Sequence, residues 1–226
     1  MPSNSFQKFI EGINDINKLI ELYETIEVLD ELEEEKVAKK FNVLFRSGVV
    51  LLVSYWESYV EDVCDEALMA IVERVQDPNK LPKELRKKVA KELKESKEEL
   101  KLWDLSGDGW RKIVMGRVDQ YKIERNRSFN TPKFTNTVEF INNVIGVKDI
   151  FKNIKWDGYT HEEVSARLNS LIEVRGQIAH RGKTSIDIDG KYLTDHLNFV
   201  RQLVSKFGGK INSHVKDVTG IPLFKK

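Results

Sequence analysis

VVLLVSYWESYV, residues 49–60, is apolar on nearly every side when it is drawn as a helix. A helix that is hydrophobic all round has to be covered on several sides by other elements. Residues 5–29 and 160–182 repeat apolar side chains at helical spacing, and Asp77-Pro78 marks the end of the central segment. The sequence therefore predicts an all-α bundle around one central helix.

The chain is expected to form a single helical domain over residues 1–226, with its core at about 40–205. Residues 78–130 begin with a segment in which lysine and glutamate are interspersed, a pattern typical of solvent-exposed surface helices. We expect this region to supply accessory helices inserted into the bundle.

The last third of the chain contains signals for where helices begin and end. Thr160 and the glutamate three residues later match a capping box, and Gly182 is placed to end the helix that begins there. A last helix is expected from about residue 194 to 207, with a weaker continuation to 218. Between these helices, residues 186–192 predict an Asp-Gly turn or a minimal β-hairpin.

The composition excludes several classes of function. The 226 residues include 37 Lys+Arg and 36 Asp+Glu, so a phosphate-binding surface has to be a local patch. The single cysteine, Cys64, excludes an intramolecular disulfide and predicts a small core residue. Asp187-x-Asp189-Gly190 lacks the glutamate that closes a calcium loop, and we expect no metal and no cofactor. No apolar run is long enough to span a bilayer, so we expect a cytoplasmic protein without membrane association.

One arginine stands out in LNSLIEVRGQIAHRGK, residues 168–183, because Arg175 falls near the centre of an apolar stripe. The predicted stripe consists of apolar residues that recur at helical spacing: Val164, Leu168, Leu171, Ile178 and Ala179. An isolated buried guanidinium is costly, since it does not lose its proton. Either Arg175 extends to solvent along the edge of the stripe, or it pairs with a carboxylate or an anion. Glu57, the one carboxylate within LLVSYWESYV, is the predicted partner.

A histidine follows five residues later, together with more cations. His180 has a simple interpretation as a histidine favoured at a helix C-terminus by the helix dipole. However, metal-independent RNA cleavage needs a base of near-neutral pKa for the ribose 2′-OH and a cation for the scissile phosphate. His180 suits the first role and Arg175 suits the second.

At this point the sequence resembles a known family. The R-x-x-x-x-H pattern in RGQIAHRG, at the end of a late helix, resembles the motif of the HEPN superfamily. YWESYVED on an earlier helix and FINNVIGVKDIF upstream of the motif resemble its RiboL-PSP-type branch. The resemblance covers about residues 40–205 and implies an HEPN-like antiparallel helical bundle, usually dimeric, with two motifs facing one another. It also implies a metal-independent endoribonuclease that leaves a 2′,3′-cyclic phosphate and a 5′-OH, in toxin–antitoxin or antiphage systems.

By motif position, the resemblance assigns Arg175 and His180 as catalytic residues. Glu57 would orient the arginine, and Arg181 and Lys183 would contact RNA phosphates. The expected partners are RNA, a second copy of the chain, and an antitoxin or another defence-system protein. One alternative is a non-catalytic HEPN module that binds RNA, a nucleotide or a protein, and another is a purely structural helical protein. Residues 111–127 either extend the RNA path or form an ordinary charged helix face.

The motif departs from the family in one position and raises a geometric question. Gly176 stands where the family frequently has a polar residue. On an ideal helix, residues five apart point about 140° from each other and lie about 7.5 Å apart along the axis. Arg175 and His180 therefore converge only if the last turn unwinds near Gly182 or a second chain completes the site. We favour a homodimer with a composite site.

Overall fold

The all-α prediction is confirmed in a computed structural model, which describes residues 3–29, 34–126, 129, 131–152 and 154–225. Over these residues the chain forms α-helices and two short 3₁₀ helices, Pro78–Lys80 and Glu99–Leu105, with no β-strand. The α-helices are α1 (Asn4–Leu29), α2 (Glu34–Arg74), α3 (Lys83–Glu95), α4 (Gly109–Asn126), α5 (Phe134–Ile145), α6 (His161–Arg181) and α7 (Gly190–Thr219). None of the described helices combines the length and the apolar character needed to cross a membrane.

The quoted stretch forms the middle of α2, the longest of these helices at 41 residues. At 1.5 Å per residue α2 is about 60 Å long, and α1, α4, α5, α6 and α7 all pack against it. The stretch supplies six buried side chains to the core: Val49, Leu52, Val53, Trp56, Tyr59 and Val60. Burying a large apolar side chain stabilises the fold by roughly 1.5–3 kcal/mol, so this one segment anchors the bundle. Cys64, two turns beyond Glu57, is fully buried as predicted.

The helices around α2 alternate in direction. Two contacts show that α1 runs antiparallel to α2: Lys8 pairs with Asp62 at 2.8 Å, and Tyr55 Oη lies 3.4 Å from Asp15. Three contacts show that α7 runs in the same direction as α2: Gly48 lies against Leu193, Tyr59 donates to the Val204 carbonyl, and Arg74 donates to the Pro222 carbonyl. A core of apolar side chains from all these helices fills the space between them.

The predicted start and end of α6 are confirmed. The Thr160 hydroxyl accepts the backbone N–H of Glu163, and the Glu163 carboxylate accepts the backbone N–H of Thr160. Gly182 ends the helix in the left-handed conformation, with φ of 61°, and its N–H donates to the Ile178 carbonyl at 2.9 Å. Glycine adopts this conformation without the steric cost of a side chain.

The minimal hairpin expected over residues 186–192 is wrong. The Asp189 carboxylate accepts the backbone N–H of Tyr192 at 2.6 Å, which makes Asp189 the N-cap of α7. Asp-Gly occurs both in hairpin turns and at helix starts, and here capping prevails because an amphipathic helix follows. The last helix accordingly begins at Gly190, four residues before its predicted start, and continues without weakening to Thr219.

Two adjacent glycines in α7 provide a test of how closely α7 approaches α2. A Cβ at Gly208 would lie 2.5 Å from the hydroxyl oxygen of buried Tyr59, whereas a Cβ at Gly209 would meet nothing within 4 Å. We expect Gly208→Ala to lower the free energy of unfolding by about 1–3 kcal/mol through overpacking. Gly209→Ala should raise it by about 0.5–1 kcal/mol, since alanine favours the helix. Urea unfolding measures both, and a similar effect of the two substitutions would contradict the packing described.

Candidate functional site

The ion pair predicted between α2 and α6 is present. Arg175 Nη2 lies 3.0 Å from Glu57 Oε2, and both side chains keep about one-fifth of their surface exposed, at 21% and 20%. The pair follows a buried face of α6 formed by Val164, Leu168, Leu171, Ile172 and Val174. The apolar stripe ends earlier than predicted, because Ile178 is only partly buried and Ala179 is exposed. Arg175 therefore lies at the border between the core and the open end of α6.

Partial burial of the ion pair disfavours the charged form of the Glu57 carboxylate. Partial burial raises the pKa of Glu57 above its ordinary value, and the charge and hydrogen bond of Arg175 only partly oppose this effect. Arginine has five N–H donors, and Arg175 makes one hydrogen bond, to Glu57, within the described part of the chain. The guanidinium is thus oriented by Glu57 and still has donors available for an anion.

The other motif residues lie beyond this pair, on the surface. His180, Arg181 and Lys183 are exposed and form no hydrogen bond or ion pair with any residue that the structure describes. Because α6 is helical through Arg181, the last turn does not unwind, and that alternative is wrong. Within one chain, the structure brings Arg175 to Glu57 but leaves His180 on a different side of the helix.

Sequence reasoning missed Arg46 on α2. Arg46 Nη1 donates to the carbonyl of Gly182 at 2.7 Å, so this arginine binds the end of the helix that carries the motif. A signal was present in the sequence: Arg46 precedes Glu57 by eleven residues, which places the two within about 20° of each other around an ideal helix. Both face α6. Arg46 also adds a positive charge beside the motif residues.

Two further hydrogen bonds hold the loop after α6 in position. Asn42 Nδ2 donates to Asp187 Oδ1 at 2.8 Å, which joins the loop to α2. Gln177 Oε1 accepts the backbone N–H of Ser185 at 3.0 Å, which joins the loop to α6. The position of the helix end, and of Lys183 just after it, is therefore fixed by side chains on two helices.

Two of the other three histidines, His196 and His214, have packing roles in the fold. Nδ1 of His196 lies 2.8 Å from the Tyr192 carbonyl oxygen, and Nε2 of His214 lies 2.9 Å from that of Ile145. Burial lowers the pKa of both imidazoles. In the described residues, no three His, Cys, Asp or Glu side chains are grouped so as to hold a metal ion. His180 differs from His196 and His214 in being exposed and without a hydrogen-bond partner in the described chain.

Gly176, the departure from the family motif, is not required by packing. A Cβ at this position would meet nothing within 4 Å, and the residue is only partly buried. A Cβ would therefore be accommodated beside Arg175 without displacing a neighbour. The absence of a side chain is therefore a property of this sequence and not a steric requirement of the fold.

The ion pair leads to a prediction about pH. Arg175→Ala should lower the free energy of unfolding by about 1–3 kcal/mol at about pH 7, because it leaves Glu57 charged and partly buried. A carboxyl group whose pKa is raised by folding takes up a proton more readily in the folded state, so this loss should shrink as the pH falls toward about 5. Urea unfolding at both pH values measures the loss.

Lys133→Ala is the matched control, because Lys133 forms an exposed ion pair with Glu173 of α6 at 3.0 Å. Its effect should stay within about 0.5 kcal/mol at either pH. If Arg175→Ala lowers the free energy of unfolding equally at both pH values, the decrease does not come from a charged, partly buried Glu57, and the prediction is contradicted.

Comparison with known proteins agrees with the all-α fold. The model of the family described as RiboL-PSP-HEPN matches residues 5–213, which include α1 to α6 and most of α7. No curated protein and no solved structure gives a significant match. Since the match covers far more than half of the chain, the protein belongs to the RiboL-PSP-HEPN family.

Proposed function

We propose that the chain is a metal-independent endoribonuclease, with Arg175 and His180 as its catalytic residues. Membership of an HEPN family indicates a role in RNA cleavage or RNA binding in general. The observation that carries the finer proposal is the Arg175 guanidinium, oriented by Glu57 with donors left over, on the helix that presents an exposed His180. An oriented cation and an accessible imidazole are the two parts that this cleavage requires.

In the proposed reaction, neutral His180 accepts the proton of a ribose 2′-OH. The 2′ oxygen then attacks the adjacent phosphorus, and the bond from phosphorus to the 5′ oxygen breaks. The leaving 5′ oxygen takes a proton from water and the protonated imidazole returns its proton to water, so the products are a 2′,3′-cyclic phosphate and a 5′-OH. The Arg175 guanidinium stabilises the negative charge that develops on the phosphate oxygens. Glu57 touches no substrate and acts as a positioning residue.

A second copy of the chain is part of the proposal. Because α6 remains helical between Arg175 and His180, one chain presents the two side chains to different sides. In a two-fold dimer, the histidine of each copy can serve the arginine of the other. Val43 and Ile186, which are 58% and 43% exposed, supply apolar surface beside the contact between Asn42 and Asp187, at the same end of α6. Exposed apolar surface of this kind favours association.

Charge around the motif supports RNA as the substrate. The net charge of the chain is only +1, yet Arg46, Arg181 and Lys183 surround the end of α6. We assign Arg181 and Lys183, which have no partner in the described chain, to phosphates on either side of the scissile bond. A toxin or antiphage effector held by an antitoxin fits a nuclease with such an open site.

The paired cations of α4 give little support to an RNA path along this helix. Arg111 donates to the carbonyls of Glu73 and Val75 at the end of α2, at 2.9 and 2.8 Å. Two other cations of α4 are also paired: Arg117 with Glu92, and Lys122 with Asp65. The interpretation of residues 111–127 as an ordinary charged helix face is therefore favoured, with the side chains of 124–127 outside the described residues.

The alternative is a non-catalytic HEPN module that binds RNA, a nucleotide or a protein partner. Gly176 favours it, since the polar side chain frequent in the family at this position is absent although a Cβ would be accommodated there. This alternative predicts that RNA binds at the same surface without being cut.

A cleavage assay with chelator separates the two functions. His180→Ala should slow the cutting of labelled single-stranded RNA by about 100-fold or more, because it removes the general base. Its free energy of unfolding should change by no more than about 1 kcal/mol, since the exposed His180 side chain forms no hydrogen bond or ion pair with the described residues. Arg175→Ala should also abolish cutting. Lys210→Ala, which removes an exposed cation from α7, is the control and should cut normally. RNA that binds but is never cut by the unaltered chain would support the module instead.

Mixing two inactive variants tests the composite site. Arg175→Ala and His180→Ala chains, combined at equal concentration and allowed to exchange, should recover about a quarter of the normal rate. Half of the dimers are then mixed, and one of their two sites holds an intact arginine and an intact histidine. If each site used both residues of one chain, no mixture would recover activity.

A further inference from the structure

A cavity of about 500 Å³ lies between α2, α3, α4 and α5, away from the motif residues. Its floor is apolar and includes Leu68, Leu85 and Phe140, which are all nearly fully buried. Its rim is polar and is supplied mainly by α5. An apolar cavity with a few hydrogen-bonding groups at its edge is typical of a binding site for a small organic ligand.

Three polar side chains of α5 line this cavity: Asn136, Glu139 and Asn143. Their spacing of three and four residues places them along one side of the helix. Glu139 and Asn143 form no hydrogen bond with any described residue, and Asn136 uses only its Nδ2, which donates to the Thr131 carbonyl at 2.9 Å. Both amide and carboxylate groups are therefore available to a ligand.

The hydrogen-bonding groups of these three side chains are complementary to those on the edge of a nucleobase. An asparagine amide can donate to a ring nitrogen and accept from an adjacent amino group, and a glutamate carboxylate accepts from an amino group. Adenine and cytosine present a ring acceptor beside an amino donor, whereas uracil lacks the amino group. Glu84 on the rim is paired with Lys87 at 2.7 Å, so the hydrogen-bonding groups of α5 are what would distinguish one base from another.

The cavity and the Glu57–Arg175 ion pair are both built on α2. Leu68 follows Glu57 by eleven residues on α2, so it lies about 16.5 Å farther along the axis and within about 20° of the same side. This separation along α2 corresponds to the span of a few nucleotides. Lys88 lies on the cavity rim, with its Nζ 4.8 Å from the centre of the Tyr121 ring.

We propose that this cavity is a nucleobase-binding site that selects adenine or cytosine over uracil, a few nucleotides from the scissile phosphate. As a specificity site for RNA, it rests on the proposed function. The same recognition chemistry would also admit the base of a free nucleotide. The side chains of Glu139 and Asn143 form hydrogen bonds with the edge of the base that carries the amino group.

The test measures binding, so that it does not depend on cleavage. Fluorescent oligo(A), oligo(C) and oligo(U) are titrated into the full chain carrying His180→Ala, with AMP, CMP and UMP titrated separately. Oligo(A) or oligo(C) should bind roughly tenfold more tightly than oligo(U). Glu139→Gln and Asn143→Ala should remove this difference. Asn142→Ala is the matched control, because Asn142 is the neighbouring exposed asparagine and does not line the cavity.

Each outcome decides the proposal. A preference that disappears in the two cavity variants and persists in Asn142→Ala supports it. If AMP or CMP alone shows the same preference, and the same loss, the base comes from a free nucleotide; otherwise it comes from RNA. Equal binding of all oligomers, or a preference that both cavity variants retain, overturns the proposal. Cleavage by the unaltered chain without base preference would overturn this site alone, and base preference without cleavage would overturn the nuclease alone.

Discussion

The structure around the candidate site depends on a guanidinium that cannot lose its proton at a helix contact that is largely apolar. Arg175 stays charged wherever it lies, so the electrostatic cost of partial burial appears at its partner, whose pKa is raised. Glu57 therefore does more to orient the arginine than to stabilise the fold, since paired charges at such a contact contribute little net stability. A side chain retained at this cost, with donors still available, is typical of a binding or catalytic site.

The second constraint is the fixed end of α6. Arg46 and Asn42 reach from α2 to Gly182 and Asp187, so the same helix that carries Glu57 also holds the far end of the motif. The spacing between the ion pair and the helix terminus is thus set by two rigid elements. His180 lies between these fixed points without a partner of its own in the described chain. A group that exchanges protons with a substrate needs such a position, defined by its backbone and free at its ring.

Local patterns in the sequence were sufficient for the helices and for one of the site's contacts. The all-round apolar stretch, the Thr160 cap and Gly182 each report on a few neighbouring residues, and Glu57 was identifiable as the single carboxylate in an apolar run. Asp189 was misinterpreted because Asp-Gly favours both turns and helix starts. Ala179 was misplaced because periodicity does not show where the covering helix stops. The Arg46 contact to a backbone carbonyl and the cavity formed by four helices depend on tertiary packing, which no local pattern contains.

The continuous helix between Arg175 and His180 also limits which mechanisms are physically reasonable. A single chain would have to bend its substrate around α6 to place one ribose–phosphate linkage against both side chains, and the capped end of α6 offers no unwinding that would shorten this path. A two-fold axis near the end of the helix removes the problem, because each histidine then faces the arginine of the other copy. The exposed apolar side chains of Val43 and Ile186 lie at the same end of α6. The divergence of the two motif residues within one chain is therefore an argument for association and not against catalysis.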